Sequence, residues 1–164
     1  MNTDRIEKQI VLKATRERVW QAISDSRRFG TWFGVAFEGP FVLGEWMMGR
    51  IAPTKVDPEV AKLQEPAAGM IFRMLVDSIE PMQRFAFRWH PFAIDPDRDY
   101  SNEPTTLVTF ELADAEGGIL LTITESGFDK VPAERRAQAF QANEGGWEHQ
   151  TRLIEKYLAL EGRF

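Results

Sequence analysis

The chain has 164 residues, of which 43% are hydrophobic and 27% charged, and its formal net charge is −5. This composition is typical of a soluble globular protein, and the length predicts a single domain over residues 1–164. The acidic balance argues against nucleic acid or an anionic membrane surface as a partner. No apolar run is long enough to span a bilayer, so membrane insertion is not expected either.

The first residues, MNTDRIEKQ, lack the apolar core of a signal peptide, and the chain contains no cysteine. We therefore predict a cytoplasmic location and exclude a disulfide framework or a thiolate metal site. Asp95, Asp97 and Asp99 resemble the start of a calcium loop. However, Tyr100 and Thr106 occupy the positions of its glycine and glutamate. Zinc spacing, a nucleophile elbow and a phosphate-binding glycine loop are also absent, so we predict no metal, no cofactor and no catalytic residue.

Two periodicities divide the chain into elements. Alternating apolar residues, such as Ile6, Ile10 and Leu12, predict strands, whereas apolar residues three or four apart predict helices. Strands followed by a segregated helix are typical of an α+β domain with a curved sheet around that helix. In chain order, we predict a strand at 6–13, short helices capped by Thr15 and Ser26, two brief strands within 37–50, a surface segment with one helical turn at 52–68, strands at 70–79 and 84–89, a loop at 91–104, a hairpin of strands at 106–112 and 119–126, and a helix at 132–160.

We expect the rest of the chain to fold around the helix at 132–160. Glu144 and Thr151 fall near the centre of its apolar face, and Gly145 and Gly146 interrupt the middle. Two interior glycines cost roughly 2 kcal/mol relative to alanine, so we expect another group to approach the backbone closely there. A helix with apolar ends and a polar middle is expected to cover a cavity. The apolar face consists of Ala133, Phe140, Trp147, Ile154 and Leu158.

The ends and the outer side of this helix are also predicted. Pro132 suits the first helical position, and Gly162 lies just past the last one. The neighbouring Arg135 and Arg136 are most simply explained as a solvated helix face.

Each strand of the predicted hairpin has one apolar face that points inward, and Glu125 falls on this face. If Glu125 and Glu144 both line a cavity, burial and mutual repulsion would raise the pKa of at least one of them, as an acid/base pair requires. Alternatively, each carboxylate is satisfied by Arg73, Arg88, Thr151 or a backbone N–H, or it lies at a solvated cavity mouth. The inward-facing hairpin residues are predicted to be Val108, Phe110, Leu112, Leu121, Ile123 and Glu125.

Several sequence features occur in an order that resembles one known family. They are Ala14 with Val19-Trp20, Trp32-Phe33, Phe87-Arg88-Trp89, the loop from His90 to Pro96, Glu125-Ser126-Gly127-Phe128, and Asn143 with Gly146-Trp147. Over essentially its whole length the chain resembles the heat-shock-protein-90 ATPase activator homologue-like branch of the START-related (SRPBCC, birch-pollen-allergen-like) superfamily. The resemblance implies a helix-grip fold, in which a six- or seven-stranded antiparallel sheet wraps around the C-terminal helix and encloses a hydrophobic cavity.

Members of this superfamily include lipid and polyketide binders, aromatase/cyclases, a calicheamicin self-sacrifice protein and a domain of a chaperone regulator, so the fold does not determine the function. The eukaryotic activator has a separate N-terminal domain, and we expect no counterpart here because residues 1–13 form only a first strand. The leading hypothesis is non-catalytic binding of a small hydrophobic, lipid- or polyketide-like molecule. The alternatives are a chaperone-regulator-like interaction protein of the stress response and a cyclase-like enzyme that uses Glu125 or Glu144.

The expected binding site combines aromatic contact area with a few polar groups that orient the ligand, namely Glu125, Asn143, Glu144 and Thr151. About half of the aromatic residues are equally well explained as ordinary core. The complete set of predicted cavity residues is Trp20, Trp32, Phe33, Phe87, Trp89, Phe110, Ile123, Glu125, Phe140, Asn143, Glu144, Trp147 and Thr151. A second group would instead form an exposed apolar patch for a homodimer or a chaperone client, and it consists of Trp32, Phe33, Phe37, Phe41 and Trp46.

Overall fold

Seven strands form one curved antiparallel sheet in the computed structural model, which describes residues 5–93, 95 and 97–160. The predicted domain limits, residues 1 and 164, and the predicted helix stop at Gly162 lie outside the described residues. The strands are β1 (Arg5–Leu12), β2 (Val35–Phe37), β3 (Trp46–Ile51), β4 (Ile71–Glu80), β5 (Arg84–Trp89), β6 (Thr106–Ala115) and β7 (Gly118–Ser126). Their order across the sheet is β1-β7-β6-β5-β4-β3-β2.

The α-helices of the described residues are α1 (Arg16–Ser24), α2 (Ser26–Phe33), α3 (Pro58–Gln64) and α4 (Ala133–Leu160). The long helix α4 contacts β1, α1 and α2. The helix-grip fold predicted from the sequence is therefore confirmed. Among the described residues, we find no helix with the length and apolarity needed to cross a membrane.

Only one of the two helix caps predicted from the sequence is found in the structure. Thr15 caps α1, since its hydroxyl accepts a hydrogen bond from the backbone N–H of Arg18 at 3.2 Å. The predicted cap of α2, Ser26, is wrong, because the carboxylate of Asp25 accepts from the backbone N–H groups of the first turn. Ser26 is instead the first helical residue, and its hydroxyl donates to the carbonyl of Gly39 at 2.8 Å.

The segment predicted as a surface excursion contains more helix than expected. Asp57 caps α3 and Pro58 occupies its first turn, a combination that starts helices well. The ammonium group of Lys156 on α4 also lies 2.5 Å from Asp57 Oδ2. This bond lowers the pKa of the Asp57 carboxyl, together with the backbone N–H groups of the α3 first turn. The start of α3 is thus connected to α4.

The inner face of the sheet has the predicted register. Val108 lies opposite Glu125, and Phe110 lies opposite Ile123, with all four side chains buried. The buried face of α4 differs from the predicted apolar face, because Ala133 is exposed and Phe140 is only half-buried. The buried residues of α4 are Arg135, Ala139, Trp147, Thr151, Leu153, Ile154, Tyr157 and Leu158.

A close backbone contact joins α2 to the edge strand β2. A Cβ atom built on Gly30 would lie 2.0 Å from the carbonyl oxygen of Val35. Only glycine therefore permits this approach. The contact places Phe29 and Phe33 of α2 inside the curved sheet, where both are buried.

Candidate ligand-binding site

Glu125 on β7 is the fully buried carboxylate at the centre of the candidate site. Trp89 on β5 donates its indole N–H to Glu125 Oε2 at 2.7 Å, and the hydroxyl of Thr106 donates to the same oxygen at 2.5 Å. From α4, Trp147 donates its indole N–H to Oε1 at 2.8 Å. Asn143 Nδ2 lies 3.0 and 3.1 Å from the two carboxylate oxygens. Glu125 thus connects three strands to the helix.

Burial and hydrogen bonding act on Glu125 in opposite directions. Burial raises the pKa of Glu125, because the charged form loses its hydration. The hydrogen bonds from Thr106, Trp89, Trp147 and Asn143 favour the charged form and oppose this effect, but the pKa remains above its ordinary value. Since both oxygens are occupied by donors of the protein, the geometry suits a carboxylate that positions other groups better than one that exchanges protons with a ligand.

Aromatic rings fill much of the space between the sheet and α4. The ring centroid of Trp147 lies 5.8 Å from those of Trp89 and Phe110, and 6.0 Å from that of Phe33. Phe29 continues the cluster toward α2, at 5.9 Å from Phe110. Aromatic rings therefore fill the deeper part of the region in which the sequence predicts a hydrophobic cavity.

Phe72 and Trp89 are partly accessible to solvent, and together with the buried Phe33 and Trp147 they form what we call the aromatic entrance. The centroid of Phe72 lies 5.8 Å from Phe33 and 5.7 Å from Trp89. Phe72 and Trp89 are half-buried, whereas Phe33 and Trp147 are buried behind them. The entrance therefore presents aromatic surface to solvent directly beside the Glu125 carboxylate.

One face of α4 borders the aromatic entrance. Asn143, Gly146 and Gln150 are three and four residues apart, so they lie on the same side of the helix, and all three are half-buried. The expectation that a group approaches Gly145 and Gly146 closely is wrong, because a Cβ atom on either glycine would meet nothing within 4 Å. Gly146 instead leaves open space between Asn143 and Gln150.

The structure brings several predicted site residues together and separates others from them. Phe33, Phe87, Trp89, Phe110, Ile123, Glu125, Asn143 and Trp147 lie in or beside the aromatic cluster. Glu144 does not, because its side chain is exposed, so the predicted carboxylate pair with Glu125 is not formed. Thr151 is buried, but its hydroxyl donates to the carbonyl of Glu148 at 2.9 Å within α4.

Two predicted aromatic residues, Trp20 and Phe140, lie away from the aromatic entrance, and a third, Trp32, is a core residue whose ring lies 5.7 Å from that of Phe33. Trp32 is fully buried and donates its indole N–H to the carbonyl of Ala22 at 2.9 Å, as a core residue does. Phe140 contacts Phe128 with ring centroids 5.2 Å apart. Trp20 lines a separate surface concavity of about 350 Å³ next to Phe41. Another concavity, of about 1040 Å³, is lined by residues of α2 and β2, and it contains Phe37 of the predicted patch but none of the predicted cavity residues.

Three residues of the candidate site are not among those predicted from the sequence, namely Phe72, Thr106 and Gln150. Phe72 alternates with the buried Met74 and Val76 on β4, which is a recognisable signal for an inward-facing residue. Thr106 directly precedes the apolar run of β6 and carries no signal of its own. Gln150 lies seven residues after Asn143, a spacing that repeats on one helix face.

Arg135 is buried, so its assignment to a solvated helix face is wrong. Its guanidinium group donates to Glu103 Oε1 at 2.9 Å and to the carbonyl of Pro91 at 2.7 Å, and it lies 4.8 Å from the Tyr100 ring centre. Burial alone would raise the pKa of Glu103, but hydrogen bonds from Arg135 and Arg98 outweigh it and leave that pKa below its ordinary value. Arg135 thus holds the loop between β5 and β6 against α4.

The predicted exposed apolar patch is not formed by the predicted residues. Trp32 and Phe33 are buried, and Phe37 and Phe41 are half-buried. Trp46 is the exposed member, with 49% of its surface accessible, and its ring stacks on His90 at 5.9 Å. In the described part of the chain, no cluster of three or more His, Asp or Glu side chains could hold a metal ion.

A sequence profile described as "Activator of Hsp90 ATPase homolog 1-like protein" matches residues 13–159. A search of curated proteins found no match. Among solved structures, a protein from Arthrobacter aurescens is similar, with a TM-score of 0.72 and 17% identity over 99% of this chain and 91% of that one. A protein of Mesorhizobium loti, MLL2253, gives a TM-score of 0.67 and 20% identity over 96% and 98% of the two chains.

Two further similarities carry descriptive names. The Aha1 dimer from Colwellia psychrerythraea gives a TM-score of 0.62 and 15% identity over 94% of this chain and 95% of that one. DynU16, from the dynemicin biosynthetic locus, gives a TM-score of 0.65 and 23% identity over 95% of this chain. The present chain spans 47% of the length of DynU16. At these identities the similarities show the shared fold.

Proposed function

Since the chain belongs to the Activator of Hsp90 ATPase homolog 1-like family, we propose that it is a single cytoplasmic domain that binds a small hydrophobic molecule at the aromatic entrance. The observation that carries the proposal is the position of half-exposed aromatic rings beside a buried, fully hydrogen-bonded carboxylate. Ligand sites typically combine a mostly apolar wall with a few fixed polar groups. The Glu125 network and the aromatic entrance provide these two parts.

Phe72 and Trp89 would supply the main contact area for the ligand. Their rings already contact each other and are only half-buried, so a flat molecule placed on them would remove further apolar surface from water. The open space beside Gly146 would admit the ligand between α4 and the sheet. The deeper rings of Phe33 and Trp147 would form the back wall.

Glu125 would hold this wall in shape. Its hydrogen bonds to Trp89 and Trp147 fix two indole rings of the aromatic entrance, and its contact with Asn143 fixes the adjacent side of α4. A buried carboxylate that is already saturated by donors is poorly placed to act as a general acid or base. The geometry therefore favours binding over the cyclase-like alternative.

The proposal is tested by native mass spectrometry of freshly purified protein, with a denatured run on the same sample. Extra mass that disappears on denaturation would reveal a co-purified ligand. Titration with Nile red, a neutral apolar dye, tests binding directly, and we expect saturable fluorescence enhancement that Trp89→Ala abolishes. Equal saturable binding by the wild type and this variant would contradict the proposed site. The native spectrum would also separate monomer from homodimer, the form named for the Colwellia psychrerythraea relative.

A further inference from the structure

The orientation of the Gln150 side-chain amide follows from its contacts. Gln150 Nε2 lies 3.2 Å from the carbonyl oxygen of Phe33 at the end of α2. A backbone carbonyl can only accept hydrogen bonds, so the amide nitrogen must face it and Oε1 must face the opposite way. Gln64 Nε2 donates to the same carbonyl at 3.1 Å. Phe33 therefore remains bonded even without Gln150.

Gln150 Oε1 is buried and accepts no hydrogen bond from the described residues. A buried polar atom without a partner is uncommon in folded proteins and calls for an explanation.

The hydrogen-bond donors next to the aromatic entrance are largely in use. The indole N–H groups of Trp89 and Trp147 and the amide of Asn143 all point at Glu125. None of the residues that form the aromatic entrance carries a positive charge, nor do Asn143 and Gln150 beside it. A ligand carboxylate placed here would lose its hydration without a cation to compensate it, and it would approach Glu125.

From these contacts we infer the chemical class of the ligand, an inference that rests on the proposed binding function. The site takes a neutral, flat apolar molecule that carries a hydroxyl or N–H donor, and it discriminates against carboxylates. The donor bonds to Gln150 Oε1, while the apolar body lies on Phe72 and Trp89. Gln150 is therefore a residue that determines specificity.

The test compares three probes of one shape at pH 7, namely naphthalene, 2-naphthol and 2-naphthoate, by tryptophan fluorescence titration. One additional hydrogen bond to a buried acceptor makes 2-naphthol bind roughly three- to tenfold more tightly than naphthalene. We expect 2-naphthoate to bind more weakly than naphthalene. If 2-naphthoate binds most tightly, the inferred ligand class is wrong.

Gln150→Met removes the acceptor and keeps the length of the side chain. We expect the preference for 2-naphthol over naphthalene to disappear in this variant, because the buried acceptor is gone. Gln138→Met, at an exposed position of α4, is the matched control and should retain the preference.

The outcomes separate the inference from the function on which it rests. If no probe binds the wild type, the proposed function fails and the inference with it. If naphthalene and 2-naphthol bind the wild type equally, the proposed function stands and the inference about Gln150 is wrong. The wild-type comparison decides this point even if Gln150→Met does not fold.

Discussion

Trp147 on α4 donates its indole N–H to Glu125 on β7 across 2.8 Å, and this bond joins the helix to the sheet beside the aromatic entrance. Trp89 donates to the other oxygen of the same carboxylate from β5. The two indole rings are therefore positioned by one buried group. Substitutions at Glu125 should consequently alter stability as well as binding.

We predict that Glu125→Gln destabilises the protein by about 2 kcal/mol, because the new amide N–H₂ faces donors in place of an accepting oxygen. For a chain of this size that corresponds to a fall in Tm of roughly 4–8 °C, measured by thermal denaturation. Glu144→Gln is the matched control, since Glu144 is exposed on α4, and it should change stability by less than about 0.5 kcal/mol. Equal melting temperatures for both variants would show that the donors around Glu125 are not essential.

The raised pKa of Glu125 has a consequence for pH dependence. The native state retains the Glu125 proton above the ordinary pKa of 4.5, whereas the unfolded state loses it. The contribution of this group to the free energy of unfolding should therefore decrease as the pH rises from 4.5 through the higher native pKa. Denaturant titrations across this pH range measure how much more stable the wild type is than Glu125→Gln. If this stability advantage grows with pH, the native pKa of Glu125 is lowered instead of raised.

Arg135 gives a prediction about the loop between β5 and β6. Arg135→Met should destabilise the protein by about 3 kcal/mol, because it leaves backbone carbonyls and Glu103 without their buried cation. Arg152→Met is the control, since Arg152 is exposed and its nearest carboxylate oxygen, on Glu148, is 3.9 Å away. Urea denaturation of both variants checks this, and similar midpoints would contradict the structural role of Arg135.

The contact between α2 and β2 should tolerate no side chain. Gly30→Ala would bring Cβ to 2.0 Å from the Val35 carbonyl, and moving the backbone apart should cost about 2 kcal/mol or more. Gly39→Ala is the comparison, because nothing lies within 4 Å of its Cβ position. Thermal denaturation should show a clear loss of stability for Gly30→Ala and little change in stability for Gly39→Ala. A Gly30→Ala variant as stable as the wild type would mean that α2 and β2 can move apart without loss of stability.

The strands and the helix-grip fold were predictable because their signals are local or repeated. Alternation in β6 and β7 placed Val108 and Phe110 on the inner face together with Glu125, and the structure has the same register. The order of short motifs along the chain identified the family. These signals do not depend on how the loops pack.

The errors concern residues whose surroundings come from distant parts of the chain. Arg135 has an ordinary helical context, and its burial depends on Glu103 and on a loop carbonyl at Pro91, more than thirty positions away. A helical pattern averaged over the whole of α4 predicts that Glu144 lies on the inner face, whereas its side chain is exposed. The buried positions of α4 cluster after Trp147, so a single averaged face misplaces residues in the first half.

The most direct test of ligand binding at the aromatic entrance compares Gly146→Leu with Gly145→Leu. Either leucine should favour the helix by roughly 1 kcal/mol, since a Cβ at each position meets nothing within 4 Å, so both variants should fold. A leucine side chain at position 146 would obstruct the site, because this position faces the aromatic entrance between Asn143 and Gln150, whereas position 145 is exposed. We predict that Gly146→Leu weakens Nile red binding at least about tenfold, the equivalent of about 1.4 kcal/mol, while Gly145→Leu leaves it within about twofold. Equal binding by the two variants would contradict a site at the aromatic entrance.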